Sequence, residues 1–193
     1  MTTEEIVENW FIPLSSTKLT LQQAYDQLNE FGLEQDDVPL IIQLIENPKF
    51  DLPGLDIFHG ATNLETHDYI HILLGRGVLI KDEAFVLGFT MGSSNRVNTT
   101  EEKLFTFVTK YLYPKGYTFT DDDLHVFKDA VRLGFISDCQ SLAKVNYKQY
   151  LDWPLQKIRD EIGIETDLIK AYYDIESKRY PHIKECTRNL VGF

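Results

Sequence analysis

Apolar residues recur along this chain at helical spacing, three or four positions apart, rather than in alternation with polar ones. The spacing predicts a helix from Leu21 to a stop at Gly32 and a short helix over 38–45. Prolines and glycines mark 47–60 as a loop. Further helices are predicted over 101–111, 121–133, 153–162 and 167–178. The predicted fold is therefore all-α, a multi-helix orthogonal bundle with an apolar pocket in one domain spanning 1–193.

The central segment THDYIHILLGRGVLIKDEAF places polar residues inside an otherwise apolar helical pattern. Thr62 and Glu65 form a T-x-x-E capping box, which predicts that a helix begins just after Thr62. Gly75 and Gly77 should end that helix, because glycine favours the backbone conformation that terminates helices. A second helix is predicted over 81–91, so the two helices should pack side by side across a tight turn.

Two histidines of the first helix are candidate metal ligands. His67 and His71 stand four residues apart, and such residues share one helix face with Cβ atoms about 5–6 Å apart. Two neutral imidazoles suit zinc, or alternatively iron or manganese, but not calcium. Glu83, in the first turn of the second helix, is predicted to fold back as a further ligand. Asp68 is interpreted as a ligand, as the group that transfers a proton, or as a partner that holds a histidine tautomer. The alternative is a pair of hydrogen-bonded core histidines.

The spacing of these residues resembles a known family motif. His67-Asp68-x-x-His71, eleven residues and then Glu83 is similar to the H-D-x-x-H-x11-E signature of the ubiquinone (coenzyme Q) biosynthesis proteins of the metal-site type. A second stretch, DWPLQKIRDEIGI, resembles the C-terminal segment of that family through Trp153, Leu155, Arg159, Gly163 and Ile164. The resemblance covers about residues 50–165. Two departures are Asp82, where the family has glycine, and the linker GRGVLIKD.

The resemblance implies an all-helical metal protein that acts on a prenylated ring. Family members bind a divalent metal, usually taken as zinc, and hold a polyprenyl chain in an apolar channel. They are associated with changes to the quinone ring, including loss of its carboxyl group, and with scaffolding of other biosynthetic enzymes. Carried over by position, His67, Asp68, His71 and Glu83 form the metal site, and Asp68 is the candidate catalytic group.

Apolar residues beside the motif fit either a prenyl channel or an ordinary hydrophobic core. They are Ile72, Leu73, Phe85, Val86, Leu87 and Phe89. Their spacing alone favours the core. Arg76, in the predicted turn, is expected either to meet an anionic head group or to be solvated.

The charge, hydrophobicity and cysteine content of the chain indicate which partners and which cellular location are expected. The net charge is -11, and so acidic a surface disfavours binding to nucleic acid. No apolar run approaches the roughly 20 residues that span a bilayer, and the first residues lack the features of a signal or transit peptide. Cys139 and Cys186 are expected to be free thiols in a reducing compartment, which favours the cytoplasm. Peripheral membrane contact and a homodimer are left open.

Three other functional classes compete with the resemblance. A metallohydrolase would use Asp68 as general base, although the usual residue at that position is a glutamate. A phosphohydrolase of the His-Asp type would need another upstream histidine, and His59 is only eight residues before His67. The third class is a non-catalytic lipid-binding or scaffold protein. A carboxylate-bridged di-iron bundle is disfavoured because the chain lacks paired E-x-x-H motifs.

Overall fold

A computed structural model describes residues 9–29, 64–94 and 119–190, and these residues are α-helical with short 3-10 turns. In chain order the helices are α1 (Leu21–Asn29), α2 (Leu64–Leu74), α3 (Ile80–Ser93), α4 (Asp121–Ile136), α5 (Leu155–Ile162), α6 (Thr166–Arg179) and α7 (Lys184–Thr187). The 3-10 turns are Leu142–Lys144, Tyr147–Tyr150 and Arg188–Leu190. Within these ranges no strand occurs, and one isolated antiparallel bridge joins Thr20 to Pro154. The all-α prediction is confirmed.

The predicted helices that fall in the described ranges agree with the structure to within a few residues. Helix α6 extends one residue beyond its prediction at each end, and α4 continues three residues further, to Ile136. The predicted helices over 38–45 and 101–111, the loop over 47–60, Thr62 of the capping box and the stop at Gly32 lie outside the described residues. The spacing of apolar residues therefore locates α2, which carries the two histidines, and α3, which carries Glu83.

The ends of several helices follow from single residues. The backbone N–H of Asp123 donates to the Thr120 hydroxyl at 3.2 Å, and the Thr120 N–H donates to the Asp123 carboxylate at 2.7 Å, so this pair caps α4. Gly75 has φ +71° immediately after α2, and Gly163 has φ +78° immediately after α5. Glycine adopts this left-handed conformation without steric penalty, so both helices end there.

A buried arginine and a tyrosine cap the C-terminal end of α2. Arg159 is fully buried and donates hydrogen bonds to the carbonyls of Leu73 at 2.9 Å and Leu14 at 2.9 Å. The Tyr173 hydroxyl donates to the Leu74 carbonyl at 2.6 Å. Burial lowers the pKa of Arg159 to about 10. The last carbonyls of α2, which have no partner within the helix, are thus satisfied from α5 and α6.

Helices α3 and α4 pack with their backbones in contact. A Cβ on Gly88 or Gly92 of α3 would overlap the carbonyl oxygen of Phe127 or Val131 of α4. A Cβ on Gly134 of α4 would in turn overlap a carbonyl of α3. This close approach holds α3, and with it Glu83, against α4. This contact was not predicted from the sequence, although small residues four positions apart, such as Gly88 and Gly92, favour a close approach of two helices.

The apolar residues flanking the histidine motif lie in the hydrophobic core. Those named above as a channel or a core are all buried: Ile72, Leu73, Phe85, Val86, Leu87 and Phe89. The Phe85 ring stacks on those of Phe89 and Tyr172, at centroid distances of 5.9 and 5.3 Å. The core interpretation is confirmed, and the apolar pocket stays a prediction. None of the helices in the described ranges combines the length and apolar content needed to cross a bilayer.

Candidate metal centre

Three side chains from α2 and α3 bring ligand atoms to one point. His67 Nε2 lies 3.0 Å from Glu83 Oε2 and 2.9 Å from His71 Nε2. His71 Nε2 lies 3.3 Å from Glu83 Oε1. Each residue offers one ligand atom, and these atoms lie within 4.8 Å of one another. The predicted convergence of His67, His71 and Glu83 is therefore present.

The local structure explains why these residues meet. His67 and His71 are one helical turn apart on α2, so both rings project from the face that contacts α3. Glu83 lies in the first turn of α3, where the partial positive charge of the helix N-terminus favours a carboxylate. Gly75, with its left-handed backbone, ends α2 and lets the chain turn back within five residues. The three residues are between 1% and 5% exposed, so the site is closed off from bulk solvent.

The orientation of His71 is set by a backbone carbonyl. Its Nδ1 donates a hydrogen bond to the Gly77 carbonyl at 2.6 Å. Because a carbonyl can only accept, Nδ1 carries the proton when the ring is neutral, and Nε2 keeps its lone pair. Metal-ligating histidines commonly donate their other ring nitrogen to a carbonyl or carboxylate in this way. His71 is therefore prepared to act as a ligand through Nε2.

The donor set fits a divalent cation. Glu83 Oε1 is buried and makes no hydrogen bond, although it faces His71 Nε2. A buried carboxylate oxygen beside a nitrogen lone pair is unfavourable unless a proton or a cation lies between them. Two imidazole nitrogens and one carboxylate are ligands of zinc and of non-haem iron. Calcium, which takes six to eight oxygen ligands, does not fit this set.

Charges within the site shift the pKa values of Glu83 and His71. Burial alone would raise the pKa of Glu83, but the charges of protonated His71 and His67 lower it well below the ordinary 4.5. Burial alone would lower the pKa of His71, but the charge of Glu83 and the hydrogen bonds of the ring raise it above the ordinary 6.5. In the metal-free protein, a proton thus takes part of the role that a cation would have.

These shifts predict how the stability of the metal-free protein depends on pH. The raised pKa of His71 contributes stability that is fully present below 6.5 and is lost as pH rises through the folded-state pKa. The lowered pKa of Glu83 contributes stability above 4.5 that is lost only as pH falls well below that value. In the presence of chelator, wild type should therefore exceed His71→Gln in thermal midpoint by more at about pH 5.5 than at about pH 8. Thermal melts followed by circular dichroism measure this difference, and a larger gap at the higher pH would contradict the assignment.

Asp68 lies on α2 next to His67 and is half-buried, outside the group of three whose ligand atoms converge. Its assignment as a metal ligand or as a proton-transfer group stays a prediction.

Arg76 differs from both sequence-based expectations. It is fully buried, neither solvated nor open to an anionic head group. It forms a two-pronged ion pair with Glu176 and lies between the rings of Phe85 and Tyr173, at 4.1 and 4.2 Å from their centroids.

A buried charge network that was not predicted from the sequence lies beside the site. Its members are Arg76, Asp82, Glu176 and Arg188, each no more than 7% exposed. Arg188 pairs with Asp82, and Arg76 lies 3.7 Å from the other oxygen of Asp82. The residue that departs from the family motif, Asp82, is therefore an ion-pair partner next to Glu83. No local pattern could have found the pairs of Arg76 with Glu176 and of Arg188 with Asp82, since their residues are 100 and 106 positions apart.

Searches of this chain against protein-family models, curated proteins and solved structures find no match. The resemblance to ubiquinone biosynthesis proteins accordingly stays an expectation from the motif. The function has to be argued from the site itself.

Proposed function

We propose that this protein binds a divalent metal ion through His67, His71 and Glu83, with zinc as the first candidate and iron or manganese as alternatives. The observation that carries the proposal is the convergence of Nε2, Nε2 and a carboxylate oxygen from two helices within 4.8 Å. The hydrogen bond from His71 Nδ1 to Gly77 supports it, because it leaves Nε2 free to bind an ion. The unsatisfied Oε1 of Glu83 supports it as well.

Three protein ligands resemble a catalytic site more than a structural one. Structural zinc sites usually have four protein ligands, whereas catalytic sites have three and leave a position for substrate. A bound divalent ion supplies a Lewis acid that polarises an oxygen of the substrate. The residues of this chain would orient the ligands through Gly77, exclude water with the surrounding apolar side chains, and move a proton at the Asp68 carboxylate.

For the substrate we propose a prenylated quinone precursor or a similar hydrophobic lipid, as in coenzyme Q metabolism. The support is the motif formed by His67, Asp68, His71 and Glu83, the second motif around Arg159, and the all-α fold in which both lie. If the protein is an enzyme, the reaction is a lyase-type step in which the ring carboxyl group leaves as carbon dioxide and a proton takes its place, or an oxidative decarboxylation with dioxygen as the oxidant. Other biosynthetic enzymes are the proposed protein partners.

A non-catalytic lipid-binding or scaffold protein is the second candidate. It is favoured by the burial of the site, in which the most exposed ligand, His67, is only 5% accessible. Such burial suits a metal that stabilises the fold at least as well as one that turns over substrate. Turnover of a prenylated phenolic acid by metal-loaded protein, lost on Asp68→Asn, would decide for the enzyme.

Metal content tests the proposal directly. Inductively coupled plasma mass spectrometry is applied to protein purified without a His-tag, before and after incubation with zinc, iron or manganese. We expect about one equivalent of metal in wild type and less than about a tenth in His71→Ala and Glu83→Ala, because removing one of three ligands leaves too few for stable binding.

His125→Ala is the matched control, since His125 is exposed on α4 and the substitution also removes one histidine. It should retain the metal content of wild type. Circular dichroism shows which variants are folded. Only trace metal in wild type after incubation, or undiminished metal in folded Glu83→Ala, would refute the proposal, and the three residues would then be a polar network in the core.

We also propose a cytoplasmic location. Cys139 and Cys186 are free and buried, as expected for a chain kept under reducing conditions. Cell fractionation with detection of the native chain tests this, and recovery of the protein from an oxidising compartment would contradict it.

A further inference from the structure

The 3-10 turn Arg188–Leu190, near the C-terminal end of the chain, contacts the surroundings of the candidate metal centre through the side chain of Arg188. That side chain reaches Asp82 and Gly77, which lie next to the candidate ligands. Arg188 is 7% exposed and is separated by 106 positions from Asp82, to which its Nη2 donates. This long-range contact lies next to Glu83, one of the candidate metal ligands.

The first contact of Arg188 reaches the helix turn that carries Glu83. Asp82 is fully buried, and its Oδ2 also accepts the backbone N–H of Leu79 at 3.1 Å. This carboxylate therefore fixes the first turn of α3. Glu83 is the next residue, so the ion pair between Arg188 and Asp82 holds the backbone from which the metal-binding carboxylate projects.

The second contact is with Gly77, the residue whose carbonyl orients His71. A Cβ on Gly77 would overlap Nη2 of Arg188 and would lie 2.5 Å from the Trp10 carbonyl oxygen. The guanidinium thus occupies the space beside Gly77 that a side chain would otherwise fill. The Gly77 carbonyl accepts the hydrogen bond from His71 Nδ1 at 2.6 Å.

Planar shape as well as charge accounts for an arginine at this position. The guanidinium carbon lies 5.1 Å from the centre of the Phe11 ring, within the range of a cation–π contact. Its planar fork donates to Asp82 while Nη2 and the guanidinium carbon fill the space beside Gly77. A lysine could supply the charge but not the flat surface.

We propose that Arg188 is a positioning residue for the metal centre, acting on Glu83 through Asp82 and on His71 through Gly77. The proposal rests on the proposed metal site and goes beyond it, since Arg188 is not one of the three residues whose ligand atoms converge. It assigns a role in metal affinity to the C-terminal turn. Partners that orient metal ligands typically change metal affinity about 10- to 100-fold when they are removed.

The test compares metal affinity in wild type, Arg188→Met, Arg188→Lys and a control, Arg179→Met. Zinc affinity is measured by competition with a chromogenic chelator, and the cobalt-loaded proteins are compared by visible absorption. We expect affinity to fall about 10- to 100-fold in Arg188→Met and by a smaller factor in Arg188→Lys, with an altered cobalt spectrum in both. Arg179→Met removes an ion pair to Asp129 on another face and should bind zinc like wild type.

A second readout keeps the proposal independent of the metal. Nitrogen-15 NMR of the metal-free protein reports which ring nitrogen of His71 carries the proton. At a pH high enough for the His71 ring to be neutral, wild type should show the Nδ1–H form. Arg188→Met, or Arg188→Lys if the first does not fold, should show a mixture with the Nε2–H form.

Each outcome bears on one of the two proposals. If wild type binds zinc and the folded Arg188 variants bind it equally well with an unchanged spectrum, the role of Arg188 is refuted and the metal site stands. If wild type binds no metal, the proposed function fails, and the tautomer of His71 then tests the positioning role of Arg188 by itself. A His71 that stays in the Nδ1–H form in the variants overturns that role. A mixture of the two forms supports it.

Discussion

Replacing Arg76 with methionine should lower the free energy of unfolding by about 3–5 kcal/mol. Arg76 donates to one oxygen of Glu176 at 3.0 Å and also binds the second oxygen, and both side chains are buried. Without the guanidinium, the buried Glu176 carboxylate would lose its ion-pair partner in a region of low dielectric constant. Removing one partner of a buried pair is costly for this reason, even where the intact pair adds little net stability. Urea denaturation measures the change.

A double variant separates the cost of leaving the Glu176 carboxylate without a partner from the loss of the other contacts of Arg76. Arg76→Met with Glu176→Leu replaces the pair by apolar groups, and such replacements are often neutral or stabilising. We expect the double variant to recover most of the lost stability. The remaining deficit would report the contacts of the guanidinium with the Phe85 and Tyr173 rings, worth about 2 kcal/mol or more when buried, together with its charge interaction with Asp82 at 3.7 Å.

Arg179→Met is the control for the loss of an arginine from an ion pair. Arg179 contacts Asp129 at 2.7 Å, but its side chain is 45% exposed, so solvent screens the pair. Its loss should cost less than about 1 kcal/mol. An Arg76→Met variant that loses no more than this control would show that Glu176 is relieved by water or by protonation, and the assigned role of Arg76 would be wrong.

Replacing Gly92 with alanine should separate α3 from α4 and lower the free energy of unfolding by about 2 kcal/mol or more. The new methyl group would overlap the Val131 carbonyl and lie 2.9 Å from the Phe135 backbone nitrogen. Backbone atoms within a helix cannot rotate away as a side chain could. Overpacking usually costs about 1–3 kcal/mol and occasionally more, and overlap with a backbone carbonyl places Gly92 at the upper end of this range. Alanine favours a helix over glycine by roughly 1 kcal/mol, so a net loss of about 2 kcal/mol remains.

Thermal melts measure the expected loss, which corresponds to a decrease of about 4–8 °C in the midpoint for a chain of this size. Gly134→Ala tests the same interface from α4, because its Cβ would overlap the Phe89 carbonyl. His125→Ala adds an alanine to α4 at an exposed position and should leave the midpoint nearly unchanged. A Gly92→Ala variant as stable as wild type would mean that the two helices can shift apart without loss of packing.

The Arg76→Met and Gly92→Ala variants should also differ in their effect on metal binding. Gly92 is near the C-terminal end of α3, far along the helix from Glu83, whereas Arg76 belongs to the turn that joins the ligand helices. If both variants fold, Arg76→Met should weaken metal binding more than Gly92→Ala does. The comparison links the stability of the turn to the geometry of the proposed ligands.

The sequence by itself determined the features that depend on neighbours along the chain. Helical spacing located α2 and α3, the four-residue spacing put His67 and His71 on one face, and the glycine turn brought Glu83 back to them. These predictions succeeded because backbone geometry within a helix and a short turn is set by local sterics and hydrogen bonds. The Thr120 cap of α4 is a further local feature, formed with Asp123 only three positions along the chain.

Only the tertiary structure decided how the buried charges are paired. Arg76 has the local sequence of a solvated turn residue, yet Glu176, 100 positions away, neutralises it in the core. Arg188 reaches Asp82 across 106 positions, and Arg159 reaches the Leu14 carbonyl across 145. The physical reason is that an ion pair or a hydrogen bond requires its groups to be close in space, and distant segments come close only when the whole core packs.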